Sequence, residues 1–336
     1  MMFFKGIGAL LLALVAFSVF SLKSPKGDKA MSGLADAAVA TFLVEAIFKY
    51  ICGDFAGIGF LGEVGAASGG MGAVAAAALV GLSMGTNPVF AIAAAAAVSG
   101  CGILTGFMVA YIMSFFMGRF MKLLPAGLDV ILGTLVAAAL ARAIAVVVDP
   151  AVNSVISAVG DSITVATEQS PLVMGLLLGG IMKIVCTSPL SSMALTAMLG
   201  LTGLPMGIAA VACFGGAFAN AMVFKILKLG DNSRVLAVVL EPLTQADIVT
   251  RNPIPVYLSS FVGGAMSGVI ASLLKIVNNA PGTASTIPGL LAPFAFNNPM
   301  TVIAAMGGAL VCGIVGGLLV AVVFKKIGYT PKIVTE

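Results

Sequence analysis

Three short stretches carry most of the polar chemistry found within the apolar runs of this chain. The first is Val238-Val239-Leu240-Glu241-Pro242-Leu243-Thr244-Gln245-Ala246-Asp247, where a carboxylate, a proline and hydrogen-bonding side chains interrupt a run too short to cross a bilayer twice. Non-helical backbone at membrane depth persists where it is buried in protein or lines a cavity, and solute sites in membranes are built from such discontinuous segments. Glu241, Thr244, Gln245 and Asp247 supply acceptors and donors that suit the hydroxyls of a sugar or other polyol. The competing reading is an ordinary loop between Arg234 and Arg251. The second stretch, Cys186-Thr187-Ser188-Pro189-Leu190-Ser191-Ser192, offers four hydroxyls as ligand groups or as caps of two half-helices, and Thr187, Ser188 and Ser191 are chosen from them as candidate site residues. The third, Ile287-Pro288-Gly289-Leu290-Leu291-Ala292-Pro293-Phe294-Ala295-Phe296, has no charge, so its expected contribution is shape and stacking.

Other ionisable residues lie inside apolar runs: Glu45, Arg142, Lys183 and, nearer an edge, Glu168. Each costs about 2.5–3.5 kcal/mol at the bilayer centre on insertion scales, so each is expected to face a partner or a wet cavity. Arg142 and Lys183 also read as halves of structural ion pairs. The chain contains no histidine, which excludes phosphohistidine, a Ser-His-Asp triad, imidazole metal sites and histidine proton relays. Cys52, Cys101, Cys186, Cys213 and Cys312 show no CxxC spacing and lie in or beside apolar runs, where cysteine acts as a small hydrophobe. No cofactor and no metal are expected, and no nucleophile–base pair suggests an enzyme.

The elements that must position these residues are membrane helices. Of 336 residues, 60% are hydrophobic and 9% charged, and the mean hydropathy is +1.16. A soluble domain carries about 25% charged residues, so the expected class is all-α and polytopic, in a cell membrane, which the resemblance described below implies is bacterial. Apolar runs occur at 3–22, 34–52 (amphipathic, with Asp36, Glu45 and Lys49), 65–85, 88–118, 128–148, 206–224, 256–274 and 300–324. The run 88–118 is expected to bend at Gly100-Cys101-Gly102, and 171–204 reads as two short segments meeting at Thr187-Ser188-Pro189. Counting the interrupted segments, about nine or ten spans are expected. Residues 1–30 read as one span with a basic loop (Lys23, Lys26, Lys29), and 31–336 as a single transmembrane domain. Basic clusters at 119–122, 225–234 and 325–332 each follow a span, which sets the C-terminus in the cytoplasm.

From about Gly102 to Lys326 the sequence resembles the membrane-spanning IIC component of the bacterial sugar phosphotransferase system, nearest the fructose type. The resemblance is carried by Gly102-Ile103-Leu104-Thr105-Gly106-Phe107 through Leu123-Leu124-Pro125, by Asp129-Val130-Ile131-Leu132-Gly133-Thr134-Leu135, and by Gly175 to Ser192. It is also carried by Glu241 followed by Ile248-Val249-Thr250-Arg251-Asn252-Pro253 and Gly263-Gly264. It implies that Glu241 accepts sugar hydroxyls, that 287–296 is a second re-entrant tip, and that the protein is a homodimer. Members place Thr-Glu-Gly or similar where this chain has Leu240-Glu241-Pro242, and fructose-type members carry a histidine in the second tip. With no IIA or IIB domain, phosphoryl transfer would need separate soluble phosphotransferase components. Nearest of all is a divergent, stand-alone PfoR-type branch, linked to expression of the pore-forming toxin perfringolysin O.

Two functions follow as expectations: a transporter or sensor of a small polar, sugar-like solute, or a transcriptional regulator of a toxin gene acting without transport. Direct binding of nucleic acid is not expected, because the basic residues are dispersed at span edges and no soluble segment can hold a helix-turn-helix with its core.

Overall fold

The computed structural model describes residues 2–120, 129–188 and 191–332, so Lys122, the Leu123-Leu124-Pro125 loop, and Pro189 and Leu190 lie outside the described residues. Every regular element among the described residues is helical.

Helix α1 (Met2–Lys23) is a 22-residue apolar helix with Lys23 in its last turn, where a cation complements the helix dipole. Helix α2 (Gly27–Ala38) continues without a break into two π-helical stretches, Val39–Leu43 and Glu45–Phe55. The Glu45 carboxylate pairs with Lys49 at 2.9 Å within the second stretch. Helices α3 (Gly59–Gly69) and α4 (Gly72–Ser83) meet at a 54° bend.

The long apolar run after Pro88 breaks at the glycine pair that the sequence marked, giving α5 (Pro88–Ala97) and α6 (Ile103–Phe120), with Gly100 at φ 82° between them. Helix α7 (Asp129–Gln169) then runs 41 residues straight through Pro150. Membrane helices tolerate such prolines when neighbours satisfy the freed backbone groups.

That helix also explains how the α5–α6 break is held. Arg142 donates to the carbonyls of Ala97 and Ser99 at 3.3 and 3.4 Å, at the C-terminal end of α5. Two turns on, Asp149 accepts from the Gly102 N–H at 3.0 Å and the Thr105 hydroxyl at 2.6 Å, at the N-terminus of α6. A cation therefore sits on the negative end of one half-helix and an anion on the positive end of the next. Arg142 is a capping residue, and no ion pair involves it among the described residues.

The second half contains α8 (Pro171–Thr187), α9 (Ser192–Met198), α10 (Gly203–Leu227), α11 (Asn232–Leu240), a 3-10 turn Pro242–Gln245, and α12 (Ala246–Arg251). It closes with α13 (Pro253–Leu273), α14 (Thr286–Leu291), a 3-10 turn Ala292–Ala295, and α15 (Pro299–Lys326). Helices α8, α10, α13 and α15 pack on one another, and α10 is the most enclosed of the apolar helices, with 89% of its apolar window buried. Small residues permit this approach: a Cβ on Gly313 or Gly317 would strike the backbone of α10. Large side chains such as Leu12, Leu135 and Val147 point outward, as a lipid-facing surface requires.

Among the described residues seven helices are long and apolar enough to cross a membrane, or eight with the bent α3–α4 pair as one span. The sequence count of nine or ten is higher because the runs that form α5 and α8 yield helices that are apolar but shorter than a full crossing. The architecture is that of an all-α polytopic membrane protein.

Candidate functional site

The three interrupted segments singled out in the sequence come together. They close around a cavity of about 470 Å³ whose fourth wall is the π-helical continuation of α2, through Val39, Leu43 and Ile47. The α8–α9 break contributes Ser191 and Ser192, the α11–α12 break contributes Glu241 and Thr244, and the start of α14 contributes Ser285 and Pro288. The lining is mostly apolar with a few convergent polar groups, and its size lies within the range of about 300–1,000 Å³ seen for small-molecule sites.

Side-chain bonds tie these breaks to one another. The Ser192 hydroxyl donates to the Ala284 carbonyl, joining the start of α9 to the segment that enters α14. One residue on, the Ser285 hydroxyl donates to Glu241 Oε2 at 3.1 Å, joining α14 to the α11 break. Ser191 holds φ 56°, a left-handed backbone that few non-glycine residues adopt, and its hydroxyl accepts from the Ala194 N–H at 3.3 Å to cap α9. Such strained positions gather at functional sites. Glycine makes the close seat of α14 possible: a Cβ on Gly289 would lie 2.6 Å from the Ala210 carbonyl of α10.

The predicted site residues divide into two groups. Glu241, Thr244 and Ser191 line the cavity. Gln245 and Asp247 do not, because Arg234 takes both: its guanidinium donates to Gln245 Oε1 at 3.0 Å and lies 3.6 Å from Asp247 Oδ2. They brace the turn from behind, with Gln245 Nε2 donating to the Thr244 hydroxyl at 3.0 Å. Thr187 is buried in a network of its own, accepting from Asn220 Nδ2 and the Ser260 hydroxyl, each at 3.0 Å, while donating to the Lys183 carbonyl. Asn220 Oδ1 in turn accepts from Ser259 at 2.9 Å and lies 2.9 Å from the Ser260 hydroxyl, whose single proton is shared between Asn220 and Thr187. Ser188 donates to the Val185 carbonyl at 2.8 Å and ends α8. Thr187 and Ser188 thus fix where α8 stops, and neither lines the cavity.

Sequence reasoning counted Ser192 among the hydroxyls of its stretch without choosing it as a site residue and did not select Ser285, although each lies at a helix start that follows a polar interruption. The stacking expected of the third stretch is internal to the protein: Phe294 packs on Phe55 and Phe296 on Tyr50, with ring centroids 6.2 and 5.3 Å apart. Its contribution to the cavity comes from Ile287 and Pro288. Among the described residues no three His, Cys, Asp or Glu side chains gather as a metal site.

Comparison with known proteins places this cavity in a family context. The model of the family described as "Phosphotransferase system, EIIC" matches residues 28–334, which takes in every element that lines the cavity. No curated protein and no solved structure matches the chain. A match over nearly the whole length, on a helical fold with several membrane-crossing segments, makes this a multi-pass cell-membrane protein that belongs to the phosphotransferase system EIIC family, the membrane sugar-transport component.

Proposed function

We propose that the cavity bounded by the α8–α9, α11–α12 and α14 breaks is the solute site, and that Glu241 is the principal acceptor of a sugar-like solute's hydroxyls. The observation that carries this reading is the convergence of three polar interruptions, far apart in sequence, on one mostly apolar cavity with a carboxylate in its wall. A carboxylate accepts from several hydroxyls at once and binds each more strongly than a neutral group does. Ser191 and Thr244 add hydroxyl oxygens to the wall, while Ser285 and Ser192, whose protons go to Glu241 and to the Ala284 carbonyl, hold the breaks in place. Gln245 and Asp247 hold the turn through Arg234 and so support Glu241 from outside the cavity.

On this reading the chain binds and carries the solute, and separate soluble phosphotransferase components supply the phosphoryl group, since the chain has no histidine to accept one. Assembly as a homodimer and membership of the PfoR-type branch, with its link to perfringolysin O expression, rest on sequence resemblance alone, and the cavity lends no support to a toxin-gene function. Uptake of radiolabelled sugars into vesicles tests the reading. Glu241→Gln is expected to abolish uptake while the protein remains folded in the membrane, and unchanged uptake would overturn the assignment.

A further inference from the structure

Away from the solute cavity, α1 and α6 frame an apolar groove of about 380 Å³, with Ala16 and Phe20 on one side and Leu104, Met108 and Tyr111 on the other. The two helices run parallel. Phe20 packs on Phe107 and on Tyr111, with ring centroids 5.3 and 4.9 Å apart, and the Tyr111 hydroxyl donates to the carbonyl of Pro25, beyond the end of α1, at 3.0 Å. Their C-terminal ends, with Lys23 and Arg119 in the last turns, therefore leave the membrane on the same side. The gathering of lysine and arginine marks that side as cytoplasmic. Helix periodicity puts both cations at the mouth of the groove. Lys23 follows Ala16 and Phe20 at the i, i+4, i+7 spacing of one face, and Arg119 continues the face of Leu104, Met108, Tyr111 and Phe115. Both cations are exposed, and no ion pair involves either among the described residues. The turn into α2 adds Lys26, Asp28 and Lys29, so this end carries four cations against one carboxylate among the described residues of α1, α6 and that turn. Lys26 is already engaged, donating to the Met84 carbonyl at 2.9 Å.

We propose that the groove is a docking site for an anionic glycerophospholipid of the cytoplasmic leaflet, with one acyl chain along Phe20 and Met108 and the phosphate between Lys23 and Arg119. An open gap in a helix pair forfeits the dispersion contacts of its lining, and an acyl chain restores them. Tyr111 presents an apolar ring to the groove with its hydroxyl at the polar end, as an aromatic residue at headgroup level does. The charge supplies the choice of lipid: basic residues at the cytoplasmic surface attract anionic headgroups, each with a separate contribution, and a zwitterionic headgroup offers them no net charge. The site shares no residue with the solute cavity, so the proposal stands or falls apart from the solute reading.

The test is native mass spectrometry of delipidated, detergent-purified protein titrated with phosphatidylglycerol or phosphatidylcholine. The natural protein is expected to take up its first phosphatidylglycerol at least tenfold more tightly than phosphatidylcholine. Lys23→Gln combined with Arg119→Gln should weaken that first phosphatidylglycerol roughly thirtyfold. Lys325→Gln combined with Lys326→Gln removes as much charge elsewhere and should leave it unchanged. Ala16→Phe fills the groove while keeping both cations and should weaken both lipids. A readout without variants uses phosphatidylglycerol with a photoactivatable acyl chain, which should crosslink to peptides of α1 and α6. Equal affinity for the two lipids, an unchanged titration in the Lys23 and Arg119 double variant, or crosslinks confined to other helices overturns the proposal. Self-association of the delipidated protein through α1 in place of lipid uptake overturns it as well.

Discussion

The link between Ser285 and Glu241 gives a prediction whose size follows from the geometry. Ser285 reaches Glu241 Oε2 at 3.1 Å from a different broken segment, so its hydroxyl aims the carboxylate proposed to receive the solute. Ser285→Ala removes one hydrogen bond to a charged acceptor, a contribution of about 1.5–3 kcal/mol in a buried setting. Ser285 is 3% exposed, but its partner faces an open cavity in which water can replace the lost donor, so the lower end applies. At about 1.4 kcal/mol per factor of ten, solute affinity should fall roughly tenfold. Glu241→Gln replaces a charged acceptor by an amide and should lower affinity by about 2 kcal/mol, roughly thirtyfold. The decisive quantity is the coupling. Ser285 acts through Glu241, so adding Ser285→Ala to Glu241→Gln should cost less than about 0.5 kcal/mol more. Calorimetry of solute binding to the natural protein, both single variants and the double variant measures this. Additive losses would refute the reasoning, because Ser285 would then act independently of Glu241.

Three further outcomes are expected. Asp149→Ala strips the N-terminus of α6 of its acceptor and should lower stability by about 3 kcal/mol, measured by denaturation in detergent, with solute affinity in the surviving folded protein unchanged. Asn220→Ala leaves Thr187, Ser259 and Ser260 without their shared partner in a fully buried network and should cost about 2–4 kcal/mol in the same assay, whereas a loss below about 0.5 kcal/mol would show that the network adds nothing. Asn252 binds the C-terminal segment through Tyr329 Oη and both backbone groups of Lys332, so Asn252→Ala should expose that segment to limited proteolysis, read as faster trimming after residue 326.

How much of this was legible from sequence depends on how local each cause is. The breaks at Gly100-Cys101-Gly102, Thr187-Ser188 and Glu241-Pro242 announced themselves because glycine, proline or hydrogen-bonding side chains inside apolar runs are costly and so demand a reason. The π-helical wall gave no such sign: Val39–Phe55 reads as an amphipathic helix, and only its packing against α3 and the 292–295 turn distinguishes it. The apolar run 128–148 stops just before Pro150, yet α7 continues past it to Gln169 and carries that proline in its interior. Gln245 and Asp247 were chosen for chemistry that they do possess. Which of several neighbouring polar groups lines the cavity was decided by Arg234, eleven residues before Gln245, and composition alone cannot say which of them that arginine takes. Asp149 and Ser285 were missed for a similar reason, since their partners are 47 and 44 residues away in the chain.

The cavity's role as the solute site is tested most directly by thermal unfolding of the detergent-purified protein against a panel of sugars, with Glu241→Gln run beside it. A ligand that binds only the folded state stabilises it by about 2.7 kcal/mol at a hundred times its dissociation constant. The account predicts that at least one sugar raises the melting temperature of the natural protein and shifts that of Glu241→Gln by about a third as much, since a thirtyfold weaker site keeps about 0.9 kcal/mol of the stabilisation at that concentration. A shift of equal size in both proteins would contradict it, as would a panel in which no sugar shifts either.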